Sequence, residues 1–182
     1  MSSKTNESHW RCFDMGKLEV IGFGGGCHWC TEAVFQSVVG VEKVEQGWIA
    51  PKGSEQFSEA VLVHYDRAAV SLERLVAIHL HSHSSTSEHS MRDKYRSAVY
   101  VFDDGQGDAV KSAMIGLEKD FDLPIVTRIL PFGSFKLNGP EFLDYYLSGP
   151  NKPFCKTYIE PKLISLAARF SGFVIPFTEK SK

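Results

Sequence analysis

The feature that most constrains the fold is the stretch from Lys17 to Gly40, in which a strand, a glycine turn and a helix follow directly on one another. The segment "KLEVIGF" (17–23) predicts a buried strand, and the glycines at 24–26 predict a turn. "CHWCTEAVFQSVV" (27–39) has helical character, and the glycine after it ends the helix. A strand that leads straight into a helix favours a sheet with helices on its faces.

The rest of the chain alternates strands and helices without a regular period. Residues 124–137 predict a broken or edge strand, because Pro131 and Gly133 interrupt it. Residues 139–149 predict a short helix with Pro140 in its first turn. The irregular alternation predicts an α+β fold, a mixed β-sheet with helices packed on its faces. The other predicted strands are 41–50, 57–65 and 96–104, and the other predicted helices are 72–84, 107–120 and 161–170.

Length and charge limit the class of protein. The 182 residues suit one domain, and a 43% hydrophobic content suffices for a core. A formal charge of -2 gives no reason to expect nucleic acid or an anionic membrane as a partner. The sequence contains neither an apolar run of membrane-spanning length nor the apolar core of a secretory signal, which predicts a cytoplasmic protein. We expect a flexible arm at 1–16, one domain at 17–172 and a tail at 173–182.

The four cysteines, at positions 12, 27, 30 and 155, are too few for a disulfide scaffold in a chain of this size. In a reducing compartment they are thiols at rest. Cys12 lies in a polar arm, which suggests an incidental thiol.

Cys27 follows the glycines at the predicted start of a helix, where unpaired N–H groups and the helix dipole stabilise an anion. A thiolate is such an anion, so the position favours a nucleophile with a lowered pKa. Cys30 is one turn further in and is expected to face inward. Two alternatives stay open: a zinc half-site completed by histidines, and a thioredoxin-type dithiol, although such motifs usually place a Trp where this chain has glycines.

The end of the predicted helix 72–84 and the residues after it are rich in histidine, with His79, His81, His83 and His89. His79 and His83 share a helix face and with a third ligand would suit a metal. For His79, His81 and His89 we favour a solvated helix end, because imidazoles suit the negative end of the helix dipole.

Four ordered blocks between residues 18 and 170 resemble one family, the type A peptide methionine sulfoxide reductases. "GGGCHWCTEAVFQSVVGVEKVEQGW" resembles the family's opening motif, usually Gly-Cys-Phe-Trp. "FSEAVLVHYD" with "VSLERLVAIHLHSHS" resembles the segment from Gly-His-Ala-Glu to His-Asp-Pro. "KYRSAVY" resembles Gln-Tyr-Arg-Ser-Ala-Ile-Tyr, and "FLDYYLSGPNKPFCKTYIEPKL" resembles the C-terminal segment.

The resemblance implies reduction of methionine S-sulfoxide, free or in proteins, without a cofactor or a metal. It implies that Cys27 attacks the sulfoxide sulfur, that Glu59 protonates the oxygen and that Tyr95 is a second donor to it. Trp29 is implied as a wall of the methyl pocket, and His28, where the family usually has Phe, as a substrate-binding neighbour. Glu59 also shares a strand face with apolar residues, which is unusual for a carboxyl without a function.

The resemblance further implies a ferredoxin-like α/β sandwich and a recycling step. The sulfenic acid left on Cys27 condenses with a second thiol, and thioredoxin or a similar dithiol reduces the disulfide. Cys155 matches the family's C-terminal recycling position and lies in a Gly- and Pro-rich segment able to move. Cys30 is nearer in sequence, so both remain candidates for the resolving thiol.

Three departures from the family surround the implied pocket. Besides His28, the loop between Gly47 and Glu59 is short, so that Trp48 stands at the first expected tyrosine and a second has no counterpart. The loop before Tyr95 is also short, and a serine replaces the aspartate of His-Asp-Pro. Two alternatives follow: a thiol reductase for another small sulfoxide, or a non-catalytic metal-binding or interaction module that uses both cysteines of the motif and His83.

Overall fold

A computed structural model describes residues 18–176. Within that range the strands pair in the order β1-β3-β2-β5-β4, and β4 pairs again with β1, which closes the sheet into a barrel. Neighbours are antiparallel except β4 and β5, which run parallel. The strands are β1 Glu19–Gly24, β2 Val41–Pro51, β3 Ser58–Tyr65, β4 Ala98–Val101 and β5 Arg128–Leu137.

Helices cover the outside of this sheet, and the first six elements follow the order β1-α1-β2-β3-α2-β4. That order, with β4, β1, β3 and β2 side by side, is the ferredoxin-like arrangement. The predicted α+β class with a mixed sheet is therefore confirmed, and β5 adds the closure. The helices are α1 His28–Gln36, α2 Leu72–Ser82, α3 Asp104–Leu117 and α4 Glu160–Arg169, with a π-helical turn at Cys155–Ile159.

Strand β3 shows how the alternation of side chains divides the core. Val61 and Val63 point to the helix side, into a cluster with residues of α1 and α2. Ala60 and Leu62 point to the other face, where they pack with Tyr100 inside the barrel. Glu59 has the same parity as Val61 and therefore faces α1, with only 4% of its surface exposed.

Strand β5 corrects the prediction of a broken or edge strand. It pairs with β2 on one side and β4 on the other. Pro131 and Gly133, which suggested an interruption, both lie where the hydrogen-bond pattern of the sheet tolerates them. Pro131 pairs with Val101, the last residue of β4, and the register against β2 shifts between Ala50 and Pro51. A Cβ on Gly133 would lie 2.7 Å from the Ala50 carbonyl oxygen, so the bulge requires glycine.

The predicted short helix at 139–149 is wrong. A 3-10 turn at Pro140–Phe142 is followed by turns, and Asp144 has a positive φ of 51°. The backbone N–H groups of Asp144 and Tyr145 donate to the Glu32 carboxylate of α1. A contact with a distant side chain thus replaces the hydrogen bonds of a local helix.

The ends of the described range bear on the predicted boundaries. Val174 forms a β-bridge with Val38, so the first residues of the predicted tail lie against the end of α1. The arm at 1–16, with Cys12, and residues 177–182 lie outside the described residues. Within residues 18–176 no helix has both the length and the apolar character needed to cross a bilayer.

Candidate active site

Cys27 occupies the N-cap of α1, directly after the glycine turn that ends β1. The turn needs its first two glycines, because a Cβ on Gly24 would lie 2.9 Å from the Arg96 carbonyl oxygen and one on Gly25 would collide with the His83 ring. A Cβ on Gly26 would meet open space. The turn is therefore closely packed on its inner side and open beside the Cys27 thiol.

The pKa of Cys27 is lowered to about 7, chiefly by a hydrogen bond from the Cys30 thiol. Burial opposes this shift, as does the charge of Glu59, while the backbone N–H groups of Trp29 and Cys30 support it. The same contact with Cys27, reinforced by burial, raises the pKa of Cys30. Near pH 7 about half of the partly buried Cys27 is therefore thiolate, whereas Cys30 stays a buried thiol.

The Glu59 carboxylate faces this thiol from the start of β3. Its Oε2 accepts a hydrogen bond from the His28 backbone N–H at 3.0 Å, and its Oε1 lies 3.4 Å from Lys94 Nζ. His28 Nδ1 lies 3.2 Å from Oε2, without the alignment of a hydrogen bond. The first residue of α1 and the loop before β4 thus hold one buried carboxylate between them.

A cavity of about 300 Å³ lies between these groups. It brings together five residues that the sequence singled out as catalytic or substrate-binding: Cys27, His28, Trp29, Glu59 and Tyr95. Trp48, which pairs with Glu59 across β2 and β3, also lines it and meets the His28 ring edge-on, with 5.7 Å between centroids. The cavity therefore has one polar side around the carboxylate and apolar walls elsewhere.

Lys94, Asn138 and Phe142 also line the cavity, and the sequence analysis missed all three. Lys94 adjoins Tyr95, and hydrogen bonding to the Tyr95 side chain together with the negative charge of Glu59 raises the pKa of the lysine. A lysine directly before a candidate donor was an available signal. No signal in the sequence marked Asn138 or Phe142, because they lie in a segment whose position depends on the closure of the barrel.

Asn138 connects His28 to a polar network beneath the cavity. Its Nδ2 lies 3.2 Å from His28 Nε2 and donates to Gln46 Oε1 at 2.8 Å. Gln46 in turn donates to Glu32 at 2.8 Å. Burial lowers the pKa of His28, and because the Asn138 amide N–H can only donate, Nε2 of the ring is its acceptor.

Trp29 forms the boundary between the cavity and the C-terminal segment. Its ring stacks on Tyr145, with centroids 4.1 Å apart and planes 9° apart, and Phe154 packs edge-on against it. Lys152 Nζ lies 4.1 Å from the centre of the Tyr145 ring on that cluster. The segment therefore fixes the orientation of Trp29.

Cys155 is not among the residues that line this cavity. It is fully buried in the π-helical turn before α4, within the same core as Cys30, and burial raises the pKa of its thiol. The structure thus brings Cys30 to the Cys27 sulfur and leaves Cys155 behind it, in the core.

The predicted solvated helix end is wrong for His79, which is buried, whereas His81 is half-buried and His89 is exposed as predicted. His79 is 1% exposed, and its Nε2 lies 2.8 Å from the Gly24 carbonyl oxygen. His83 uses both ring nitrogens, toward the His79 carbonyl oxygen and the Ser97 hydroxyl, each at 2.7 Å. Both rings support the glycine turn from below. Across the described residues no three His, Cys, Asp or Glu side chains are grouped to hold a metal ion.

Comparisons with known proteins agree on one family. The family model described as peptide methionine sulfoxide reductase matches residues 19–171. The peptide methionine sulfoxide reductase MsrA of Acinetobacter baumannii (strain AYE) is 33% identical over 163 residues, which cover 81% of this chain and 94% of that protein.

Solved structures show the same fold at lower identity. Mxr1 from Saccharomyces cerevisiae in reduced form superposes with a TM-score of 0.68 at 21% identity, covering 80% of this chain and 93% of that one. Mxr1 in complex with Trx2 gives a TM-score of 0.58 at 20% identity, covering 70% and 85%. Since the family model spans the whole closed sheet and the helices around it, this chain belongs to the peptide methionine sulfoxide reductase family.

Proposed function

We propose that Cys27 is the nucleophile with which this chain, a thiol-dependent peptide-methionine (S)-S-oxide reductase, reduces methionine sulfoxide. The observation that carries the assignment is the pairing, in one cavity of about 300 Å³, of a thiol with a lowered pKa and a buried carboxyl group. Glu59 and Tyr95 serve the oxygen of the substrate. Trp29 and Trp48 provide apolar surface for its methyl group and side chain.

The reaction transfers one oxygen atom and two electrons. The Cys27 thiolate attacks the sulfur of the sulfoxide and forms an S–S bond. The hydroxyl group made from the sulfoxide oxygen then passes to the Cys27 sulfur as the S–O and S–S bonds break and the thioether leaves. The oxygen has to receive a proton for this, because an unprotonated oxide is a poor leaving group. Glu59, reprotonated by the proton that Cys27 releases, supplies it. In sum, Cys27–SH and the sulfoxide give Cys27–S–OH and the thioether, so that the cysteine is oxidised as the methionine is reduced.

The polar side of the cavity differs from the family pattern and contributes to this step. His28 donates its backbone N–H to Glu59 and directs its Nδ1 at the same oxygen. Lys94 flanks the other oxygen of the carboxylate. We infer that both residues position Glu59 and offset the loss of a tyrosine donor from the shortened loop.

Recycling requires a second thiol and an external dithiol. The sulfenic acid condenses with a neighbouring thiol to a disulfide, which thioredoxin or a similar dithiol reduces. The yeast structure with Trx2 makes a thioredoxin the first reductant to try. We further infer that residues 17–172 act as one catalytic domain. We also infer a cytoplasmic location, because a reducing compartment suits the free thiols of Cys27, Cys30 and Cys155.

The first experiment measures turnover of N-acetyl methionine sulfoxide amide with dithiothreitol, resolved by epimer, for the wild type and Cys27→Ser. We expect consumption of the S epimer by the wild type and complete loss in the variant. A folded wild type that leaves both epimers intact would contradict the proposal for this substrate.

A second candidate is another small sulfoxide, which the polar wall of His28, Lys94 and Asn138 favours. The same assay with a panel of dialkyl sulfoxides distinguishes the two. Faster, Cys27-dependent turnover of a panel member than of methionine sulfoxide would support this second candidate.

A further inference from the structure

The geometry at the start of α1 points to a specific resolving thiol. We propose that Cys30, rather than Cys155, condenses with the Cys27 sulfenic acid, so that the first disulfide forms within one helical turn. This inference rests on the proposed function, because it names the thiol that completes the same catalytic cycle.

Cys27 and Cys30 are close together at the start of α1. Cys27 is the N-cap of α1 and Cys30 is its third residue, so the two side chains lie on one face. Positions three apart at a helix start have Cβ atoms about 5–6 Å apart, close enough for a disulfide after a small adjustment. The two thiols are close enough that each is the main influence on the pKa of the other. The two sulfur atoms therefore need no rearrangement of the fold to meet.

Cys155 lies in the core, away from the cavity. Its side chain is fully buried in the turn at Cys155–Ile159, and the preceding Phe154 packs against Trp29 and Tyr145. To reach Cys27, this segment has to leave the ring cluster and carry its thiol out of the core. Cys30 is next to the Cys27 sulfenic acid without any such movement. Proximity of this kind accelerates a reaction by orders of magnitude, so Cys30 is expected to react before Cys155 arrives.

Oxidation of Cys27 also changes the protonation of Cys30. The hydrogen bond with Cys27 is the main cause that raises the pKa of Cys30, and burial is the second. Oxidation of Cys27 to the sulfenic acid removes the thiolate that accepts this hydrogen bond, whereas the effect of burial remains. The attack is then balanced: Cys30–SH and Cys27–S–OH give the disulfide, and the thiol hydrogen leaves with the hydroxyl group as water.

A disulfide between Cys27 and Cys30 is accessible to the reductant on one side. Of the two sulfur atoms in such a disulfide, that of Cys27 faces the cavity, whereas Cys30 is 7% exposed. A dithiol reductant attacks the Cys27 sulfur, Cys30 leaves as the buried thiol, and the second thiol of the reductant closes its own disulfide. The reductant and the substrate thus approach through the same opening.

A single-turnover experiment tests the proposal on the full chain. Reduced protein is mixed with excess N-acetyl methionine sulfoxide amide without reductant, quenched in acid, alkylated and digested with trypsin. We expect the peptide 18–43, which contains both cysteines of the motif, to lose two hydrogens while Cys155 is alkylated. A cross-link between that peptide and the one that contains Cys155 would overturn the proposal.

Variants separate resolution from the earlier chemistry. In Cys30→Ser the hydroxyl still donates to Cys27, so we expect a normal burst of one methionine per chain, a sulfenic acid that dimedone traps, and thioredoxin-dependent turnover reduced about tenfold or more. Cys155→Ser is expected to keep that turnover. The reverse pattern would overturn the proposal. Absence of the burst in the wild type would instead contradict the proposed function, so the two failures are distinguishable.

Discussion

The start of α1 and the segment 138–159 reach the same cavity by different physical routes. At the start of α1, one turn and one cap place Cys27 through backbone geometry and through close packing under Gly24 and Gly25. The segment 138–159 has mostly turns, and contacts with distant residues hold it in place. Its anchors are Asn138 on Gln46 and the backbone of Tyr145 on Glu32.

The difference separates two kinds of requirement. The reacting atoms need a fixed position, which a short strand–turn–helix motif provides. The walls that surround the substrate need less exact positions, and a few polar contacts are enough to hold them. The segment 138–159 forms them although it has little regular secondary structure of its own. Four measurements test this division, and the first has the largest expected effect.

Glu59→Gln tests whether the carboxyl is as indispensable as the thiol. A carboxamide keeps the size and the contact with His28 N–H but cannot transfer a proton, so we expect the single-turnover rate of methionine formation to fall about 100-fold or more. Glu55→Gln, on the exposed turn between β2 and β3, is the matched control and keeps the rate. A wild-type rate in Glu59→Gln would assign the proton transfer to another group.

Acid should loosen the support beneath the glycine turn. Burial is the main cause that lowers the pKa of His83 to about 4, and it also lowers that of His79. Below about pH 6.5 the unfolded chain binds these protons and the folded chain does not, so the free energy of unfolding falls as the pH falls toward 4. His83 accounts for up to about 3 kcal/mol of this loss.

Urea unfolding at pH 7.5 and pH 5 measures the acid effect. His83→Gln should reduce the difference between the two midpoints, and His89→Gln, at an exposed position, should leave it unchanged. If the midpoint difference between pH 7.5 and pH 5 were equal in the wild type and in His83→Gln, the ring would not be buried in its neutral form.

Glu32→Gln tests the anchor of the C-terminal segment. Glu32 accepts hydrogen bonds from Gln46 and from the backbone N–H groups of Asp144 and Tyr145. A glutamine has one acceptor oxygen and places N–H donors against the remaining N–H groups, which costs about 1–3 kcal/mol of unfolding free energy. Urea denaturation measures it, with Glu42→Gln on the exposed side of β2 as the control. An unchanged midpoint would show that the segment is held by its rings.

Cys30→Ala and Cys30→Ser distinguish the electrostatic part of the motif from its redox part. Reaction of Cys27 with iodoacetamide, followed on the peptide 18–43, should rise with pH to half its maximum near pH 7, where the thiolate forms. The serine variant keeps a donor and this midpoint. Alanine removes the donor, so the midpoint moves up, and each unit lowers the rate at pH 7 by roughly fivefold. Coincident curves for both variants would assign the lowered pKa to the backbone N–H groups.

The sequence was sufficient where structure depends on neighbours along the chain. The strand, turn and helix around Cys27 follow from local pattern, and the parity of β3 was enough to bury Glu59 beside Val61 and Val63. The α+β class followed from the irregular alternation of elements. These features depend on hydrogen bonds and side-chain directions within about ten residues.

The sequence was insufficient where a distant contact decides. Closure of the barrel places β5 between β2 and β4, although Pro131 and Gly133 indicated an edge strand. Glu32 captures the backbone at Asp144 and prevents the helix that Pro140 suggested. Asn138, one residue past the end of β5, reaches the cavity because of that closure, so no local pattern marks it as a site residue.

The closed sheet has a further consequence for an enzyme with damaged proteins among its substrates. Oxidation of methionine disrupts protein cores, so such substrates include partly unfolded chains that expose strands. Exposed strands add to the free edge of another protein's sheet and start aggregates there. Here each strand from β1 to β5 has a partner on both of its sides, but β2 pairs with β5 only over 47–51 and β1 with β4 only over 22–24. The closed sheet therefore leaves a misfolded client only short stretches of free edge for edge-to-edge assembly.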